Sequence, residues 1–401
     1  MDILFVHNNF PAQFKNLAAT LTLYPGIRVG AIGSRGSTDV ERVRLQRYSL
    51  EPADVAETHP FARRFDLECR RAEQILYAAT AFTKQGFAPK TVIAHCGWGE
   101  TLPLREAFPN ARIITYCEFY YRSQGQDVNF DPEFGNLGVD ACVALQLKNA
   151  ATLLSLIESD DGIAPTLWQK STYPGELQGK INVLHEGVDT GTAMPDAQAV
   201  LTLPNGQRLT RGDEVVTFVA RNLEPLRGYH TFMRAVPHIL RQRTNAHVVI
   251  IGDDKVSYGA APPPGRSWKS IYLDEVAGRI DPRRVHFLGP VAYATYIKAL
   301  QVSSAHVYLT YPFVLSWSLI EAMAAGCAIV ASDTGPLHEV IDGQNGMLTP
   351  FFDVEGLAAK VSHVLAHQRT YEPMRALARQ TAVDRYSIEH CVPKLVDFVT
   401  R

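Results

Sequence analysis

The chain has no run of about 18–20 uncharged apolar residues, the length a bilayer-spanning helix needs. Its most apolar stretch, residues 319–331, is shorter and is broken by Glu321. Cysteine is scarce: the thiols are Cys69, Cys96, Cys117, Cys142, Cys327 and Cys391, with no CxxC pair. That excludes a disulfide scaffold or a zinc ribbon and predicts reduced, mostly buried thiols. HExxH, Walker-loop and GxGxxG motifs are absent, so no metal site, P-loop or dinucleotide fingerprint is predicted. Neither sign of charge dominates: 39 Lys and Arg against 41 Asp and Glu leave a net charge of −2. A chain so balanced has no general electrostatic drive toward nucleic acid, and no nucleic-acid partner is expected. Low-complexity tracts and repeats of 20–50 residues are missing too. Met1-Asp2 runs directly into Ile3-Leu4-Phe5-Val6, without the basic region and long apolar core of a signal peptide, so a cytoplasmic chain is expected.

The 401 residues are 46 % apolar and 20 % charged, ordinary for a globular protein. At about 150 residues per domain this length implies two to three domains. Residues 3–6 are continuously apolar, as in a strand covered on both faces. After a polar turn at Asn8-Asn9, residues 12–24 are amphipathic and stop at Pro25-Gly26. The alternation continues: strand 28–32, a long helix over 60–86, strand 91–94, helix 100–108 and strand 112–117. Strands separated by helices predict βαβ units and a doubly wound α/β domain.

Residues 191–213 hold Pro195, Pro204, Gly206 and Gly212 and few large apolar side chains, and read as an interdomain linker. The alternation then restarts with strand 215–220, helix 229–241 and strand 248–251. It continues through strand 285–288, helix 293–300, strand 307–309, helix 319–325 and strand 328–331. The expected division is 1–200, 201–385 and a last helix, 386–401, crossing back to the first domain. Two such domains leave a cleft, and ligands of open parallel sheets bind at the carboxyl ends of strands.

Four loops at such ends carry chemistry. Arg221 and Arg227 follow strand 215–220; two guanidinium forks ahead of a helix suit a diphosphate. The competing reading pairs Arg221 with Glu224. Ser316-Trp317-Ser318 precedes Glu321; the helix entry suits an anion and the carboxylate suits ribose hydroxyls. Equally, Ser318-x-x-Glu321 reads as a capping box. Gly335-Pro336 opens a turn before Glu339, most simply a structural helix start. In the first domain His95-Cys96-Gly97-Trp98 follows strand 91–94, and Tyr116-Cys117-Glu118-Phe119-Tyr120 follows strand 112–117. These offer a titratable ring, a carboxylate and aromatic faces, a combination that suits sugars. Arg63, Arg64, Arg70 and Arg71 lie on the long helix; the plain reading is a solvated face paired with Asp66, Glu68 and Glu73. The sharper one is weak peripheral contact with an acidic membrane surface.

At these residues the chain resembles the glycosyltransferase family 4 enzymes. The likeness covers about 181–361. It includes His185-Glu186-Gly187-Val188-Asp189, Arg221 with Arg227-Gly228, Val249-Ile250-Ile251-Gly252, and Val285-His286-Phe287-Leu288-Gly289. It also includes Glu321-Ala322-Met323-Ala324-Ala325-Gly326 and Gly343-Gln344-Asn345-Gly346. The resemblance implies the α/β GT-B fold, two Rossmann-like doubly wound domains facing a central cleft. It further implies a retaining, metal-independent transferase with no cofactor. Its donor substrate would be a nucleotide-diphosphate sugar, and its acceptor a hydroxyl of a glycan, a lipid-linked species or a small molecule.

Residue by residue, it implies that Arg221 and Arg227 hold the diphosphate and that His95 lies near the reacting sugar; these three are the expected catalytic groups. Phe287 and Gly289 would dock the base. Ser316, Trp317 and Ser318 would take the anion, and Glu321 the ribose. Gln13, His95, Trp98, Glu118 and Tyr120 are the expected acceptor-binding residues. Two departures stand out. Phe313 occupies the position of the family's first motif glutamate, and the N-terminal glycine-rich loop is replaced by Asn8-Asn9-Phe10-Pro11-Ala12-Gln13. The rival readings are a nucleotide-sugar epimerase of the same fold, with Glu118 as one carboxylate, and a non-catalytic nucleotide-sugar binder.

Overall fold

The computed structural model describes residues 1–52 and 54–401. The chain divides into two compact units, Met1–Gly187 with Ile388–Arg401, and Val188–Ser387. Among the described residues no helix is long and apolar enough to cross a membrane.

The first unit is built on seven strands: β1 Asp2–Val6, β2 Arg28–Ser34, β3 Val43–Tyr48, β4 Pro89–His95, β5 Arg112–Tyr116, β6 Asp161–Ala164 and β7 Ile181–Val183. Their order is β3-β2-β1-β4-β5-β6-β7, and every pairing is parallel. The unbroken apolar run of β1 follows from this. Successive side chains alternate between faces. Ile3 and Phe5 enter one core with Phe14, Leu17 and Leu21. Leu4 and Val6 enter the other with Ile75, Ala79 and Phe82 of the helix Arg63–Lys84. The helix Ile388–Thr400 completes the first of these cores with Val392, Leu395, Val396 and Val399, spaced as one helical face. Thr91 Oγ donates to the Val399 carbonyl at 3.0 Å, and the Arg112 guanidinium lies 4.7 Å from the Phe398 ring.

The second unit contains a hairpin, β8 Val200–Thr202 with β9 Arg208–Thr210. It also contains a six-stranded sheet, β10 Val215–Asn222, β11 His247–Asp253, β12 Val285–Gly289, β13 Ala305–Tyr308, β14 Ile329–Ser332 and β15 Met347–Thr349. The sheet order is β12-β11-β10-β13-β14-β15, again parallel throughout.

The expected linker at 191–213 is not one. Ala193, Ala199, Leu201, Leu203 and Leu209 are buried in the second unit's core, and the chain divides at Gly187 and Val188 rather than at 200. Pro204 and Gly206 lie in the hairpin turn, which the Gly206 amide closes on the Leu203 carbonyl. Strand β3 escapes the pattern for a related reason. At the sheet edge it alternates Val43, Leu45 and charged residues, unlike the apolar central strands.

Candidate functional site

In each sheet the strand order reverses at one point, between β1 and β4 in the first unit and between β10 and β13 in the second. Loops leaving strands there on opposite sides open a crevice at the carboxyl edge.

In the first unit His7 follows β1, His95 ends β4, and Glu118 lies two residues beyond β5. The two imidazoles meet edge-to-face with centroids 5.2 Å apart. His95 Nε2 lies 3.2 Å from Glu118 Oε2, and Gln13 Nε2 donates to Glu118 Oε1 at 3.1 Å. The Gly97 amide donates to His95 Nδ1 at 3.0 Å, so the neutral ring carries its proton on Nε2, facing the carboxylate. Burial disfavours the charged ring, but the hydrogen bond and charge of Glu118 outweigh it and hold the His95 pKa above its ordinary value. Burial likewise disfavours the Glu118 carboxylate, and His95 with His7 overcomes it, holding that carboxyl below the ordinary range. A second proton on His95 has to displace the Gly97 amide, so backbone and carboxylate pull the ring in opposite directions. His7 behaves differently. Burial, reinforced by His95, pushes its pKa down to about 3, and its Nδ1 accepts from the Asn9 amide at 2.8 Å.

The turn bearing His95 is held from the long helix. Arg64 donates to the Gly97 carbonyl at 3.0 Å and Arg71 to the Trp98 carbonyl at 2.6 Å. The Arg64 guanidinium sits 5.1 Å from the Trp98 ring and pairs with buried Glu68 at 2.6 Å. Gly99, at φ +84°, passes so close that a Cβ would lie 2.4 Å from the Glu68 carbonyl oxygen. Arg64 and Arg71 are therefore structural clamps, not part of a solvated face; Arg70 does keep its surface pairing with Asp66. Glu100 is fully buried, accepts from Tyr48 Oη at 2.9 Å, and is pushed upward by that burial against the Tyr48 bond.

In the second unit Arg221 lies exposed near the end of β10. Glu224 does not neutralise it. That carboxylate is buried and accepts from the Gly259 and Ser257 amides at 3.1 and 3.3 Å. Arg227 crosses the switch point: its Nη1 donates to Thr310 Oγ at 2.9 Å and to the Val314 carbonyl at 2.8 Å. Its guanidinium lies 5.5 Å from the ring of Phe313. Phe313 is 2 % exposed and contacts Tyr258 at 5.1 Å, so its buried ring backs the arginine. Gly228 has φ +70°, and a Cβ there would lie 2.2 Å from Leu309 Cβ. The turn that aims Arg227 thus requires glycine.

The helix Trp317–Ala324 is capped by Ser316, whose Oγ accepts from the Ser318 amide. Trp317 is exposed and Ser318 buried. The expected box between Ser318 and Glu321 does not form, because the helix begins before Ser318. Glu321 instead accepts from Tyr293 at 2.8 Å and Tyr296 at 2.7 Å. Phe287, in β12, lies under Lys269 Nζ at 5.0 Å; Gly289 ends that strand at φ +65° with no atom near a built Cβ.

The first edge thus brings together Gln13, His95 and Glu118, with Trp98 beside His95 at 6.2 Å. Tyr120, two residues beyond Glu118, packs beside Tyr173 and Arg122. His7, Glu100 and Thr310 were missed. His7 was within reach, since it is the first residue beyond β1 at a position where ligand-facing loops begin. Glu100 and Thr310 carry no local motif and acquire their places through the fold.

Residues 25–193 match the family described as glycosyl transferase family 4 group, and residues 213–367 match glycosyl transferases group 1. The phosphatidyl-myo-inositol mannosyltransferase of Mycolicibacterium smegmatis is 32 % identical over 163 residues, 39 % of this chain and 37 % of the relative. The D-inositol 3-phosphate glycosyltransferase of a Nocardioides species is 27 % identical over 232 residues, 55 % of this chain and 48 % of the relative. These alignments span less than half the length of either relative. Among solved structures, Anabaena Alr3699/HepE in complex with UDP and glucose superposes with a TM-score of 0.68 at 14 % identity, covering 100 % of this chain and 99 % of that one. Sucrose-phosphate synthase of Thermosynechococcus elongatus gives 0.71 at 16 % identity, covering 99 % and 98 %. At such identities the likeness establishes the fold, an α/β GT-B fold of two Rossmann-like parallel-sheet domains. With both halves matched in order, the chain belongs to the glycosyltransferase family 4 group.

Proposed function

We propose that the protein is a retaining glycosyltransferase that moves a sugar from a nucleotide-diphosphate sugar to an acceptor hydroxyl, without a metal. The observation that carries this reading is the Arg227 clamp at the second unit's switch point, with Arg221 on the preceding strand. Support comes also from the family matches and from a fold neighbour solved with UDP-glucose, at 14 % identity and TM-score 0.70. In the reaction the bond from sugar C1 to the diphosphate oxygen breaks, and the diphosphate leaves with the electron pair. The acceptor oxygen bonds to C1, and its proton passes to an oxygen of the leaving phosphate. Negative charge grows on the leaving group, and fixed guanidinium groups stabilise it most in the transition state.

In this reading Glu321, oriented by two tyrosine hydroxyls, receives the ribose, and the Phe287–Gly289 loop takes the base. On the first unit, Gln13, His95 and Glu118 receive the acceptor. The acceptor is the hydroxyl of a glycan, a lipid-linked species or a small molecule.

Arg221→Ala provides the test. It should leave the thermal transition in place, weaken UDP-glucose binding measured by calorimetry, and lower UDP release in the presence of acceptors. Unchanged binding and turnover in a folded variant would remove Arg221 from the mechanism. Conversion of the nucleotide sugar to its epimer without any acceptor would replace the reading with an isomerase.

A further inference from the structure

The first unit holds a pocket of about 530 Å³, lined by Tyr120, Tyr121, Leu137, Val139 and Val143, with Arg122 among its polar walls. Part of its wall is the helix Val139–Leu147. Seven of that helix's nine residues are apolar, yet none is buried. Val139 is 79 % exposed, and Leu137 and Leu147 are exposed beside it. Isolated surface leucines need no explanation, but a continuous apolar wall around a concavity does. The opposite wall is held by hydrogen bonds and a cation–π contact. Asn149 exchanges two hydrogen bonds with the Tyr121 backbone, both 2.9 Å. Thr172 Oγ accepts from the Tyr120 amide at 3.2 Å, and Lys148 Nζ sits 3.5 Å from the centre of the Tyr121 ring. Tyr120 lies two residues beyond Glu118, so the apolar wall begins about 7 Å along the chain from the carboxylate that bonds His95.

We infer that this pocket is a subsite for the apolar portion, an alkyl chain or an aryl ring, of the acceptor molecule whose hydroxyl meets the His95–Glu118 pair. The volume falls within the range of small-ligand pockets, which favours a small apolar group over a protein face. Continuity with Glu118 favours the acceptor over an unrelated ligand. The inference rests on the reading of the first unit as the acceptor side.

The test is a binding series of methyl, butyl, hexyl and octyl β-D-glucopyranosides, each below its micelle-forming concentration, followed by intrinsic fluorescence. Affinity should tighten about two- to fourfold per added methylene. The slope should flatten in a Val139→Asp, Val143→Asp double variant, which keeps its fold because no residue of that helix is buried. It should persist in Leu154→Asp, an exposed apolar position outside the pocket. A flat series in the native protein, or an unchanged slope in the double variant, overturns the subsite. Two further results also overturn it. One is sedimentation with anionic phospholipid vesicles that the double variant abolishes while the alkyl series is flat, which assigns the wall to a bilayer. The other is a dimer in solution that the double variant dissolves, which assigns it to a second copy. The series needs neither donor nor turnover, so its length dependence upholds the subsite independently of UDP-glucose binding, which is measured separately on the same proteins.

Discussion

The two carboxyl edges have the same topology and opposite electrostatics. Around β1 and β4 the first unit gathers groups whose charge depends on pH. His7 is neutral and pushed down to about 3, His95 is raised through Glu118, and Glu100 is raised by burial. Around β10 and β13 the second unit places Arg221 and Arg227, guanidinium groups that stay charged across the whole working range. It supports Arg227 with a ring, a hydroxyl and a carbonyl. One parallel-sheet edge therefore serves two electrostatic tasks, decided by which side chains follow the strands. In the proposed reaction the diphosphate, charged at every physiological pH, is matched by fixed charge. The acceptor hydroxyl is neutral and gives its proton to the leaving phosphate, so the first edge is asked to bind and orient it, through the His95–Glu118 pair.

The largest expected effect lies on the fixed-charge edge. Arg227→Ala should lower the rate of UDP release with acceptor by about 10²–10³-fold, the range for removing one preorganised charge-stabilising group. Arg227→Lys should recover only part of it, because an ammonium cannot bond Thr310 and Val314 while presenting a second donor pair. Next comes Glu118→Gln, expected to lower kcat/KM for the acceptor by about 10–100-fold, the range for losing a hydrogen bond to a charged group, with UDP-glucose affinity unchanged. An equal loss of donor affinity would erase the division between the edges.

Acid stability comes third. His7 and His185 in the first unit, pushed down to about 3 and about 4 by burial, and His306 in the second, pushed to about 3, stay neutral when folded. The unfolded chain takes up protons near pH 6.5. The stability they contribute is complete above pH 6.5 and is lost progressively as pH falls toward 3, by about 2 kcal/mol per histidine at pH 5. Tm should drop steadily over that window, and His7→Gln should make the drop shallower; a level Tm down to pH 4 contradicts the burial of these rings. The smallest effect is expected for Tyr296→Phe. It removes one of two hydroxyls on Glu321 and should weaken UDP-glucose binding by about three- to tenfold.

The parts legible in the sequence were those with a local cause. Residues 3–6 announce a two-sided strand because both faces of β1 are buried, and Arg221 and Arg227 stand out because they cluster at a strand's carboxyl end. The hairpin at 200–210 was not legible, since its short strands share the composition of a linker and gain their cores only by packing. The bonding of Glu321 was not legible, because Tyr293 and Tyr296 reach it from another helix. Phe313 reads in sequence as a missing carboxylate. Only the fold shows that its ring supports Arg227, a contact made through the loop between residues 309 and 316.

The most direct test is the pH dependence, between 5.5 and 8.5, of two quantities on the same protein: UDP-glucose affinity and kcat/KM for the acceptor. UDP-glucose carries no titrating phosphate group there, so its affinity should be level across the range. The acceptor parameter should show an inflection above pH 6.5. In Glu118→Gln the inflection should move down, because burial then acts on His95 without the opposing carboxylate. An affinity for UDP-glucose that titrates, or an inflection that Glu118→Gln leaves in place, would contradict the assignment of fixed charge to one edge and of a titratable, acceptor-orienting pair to the other.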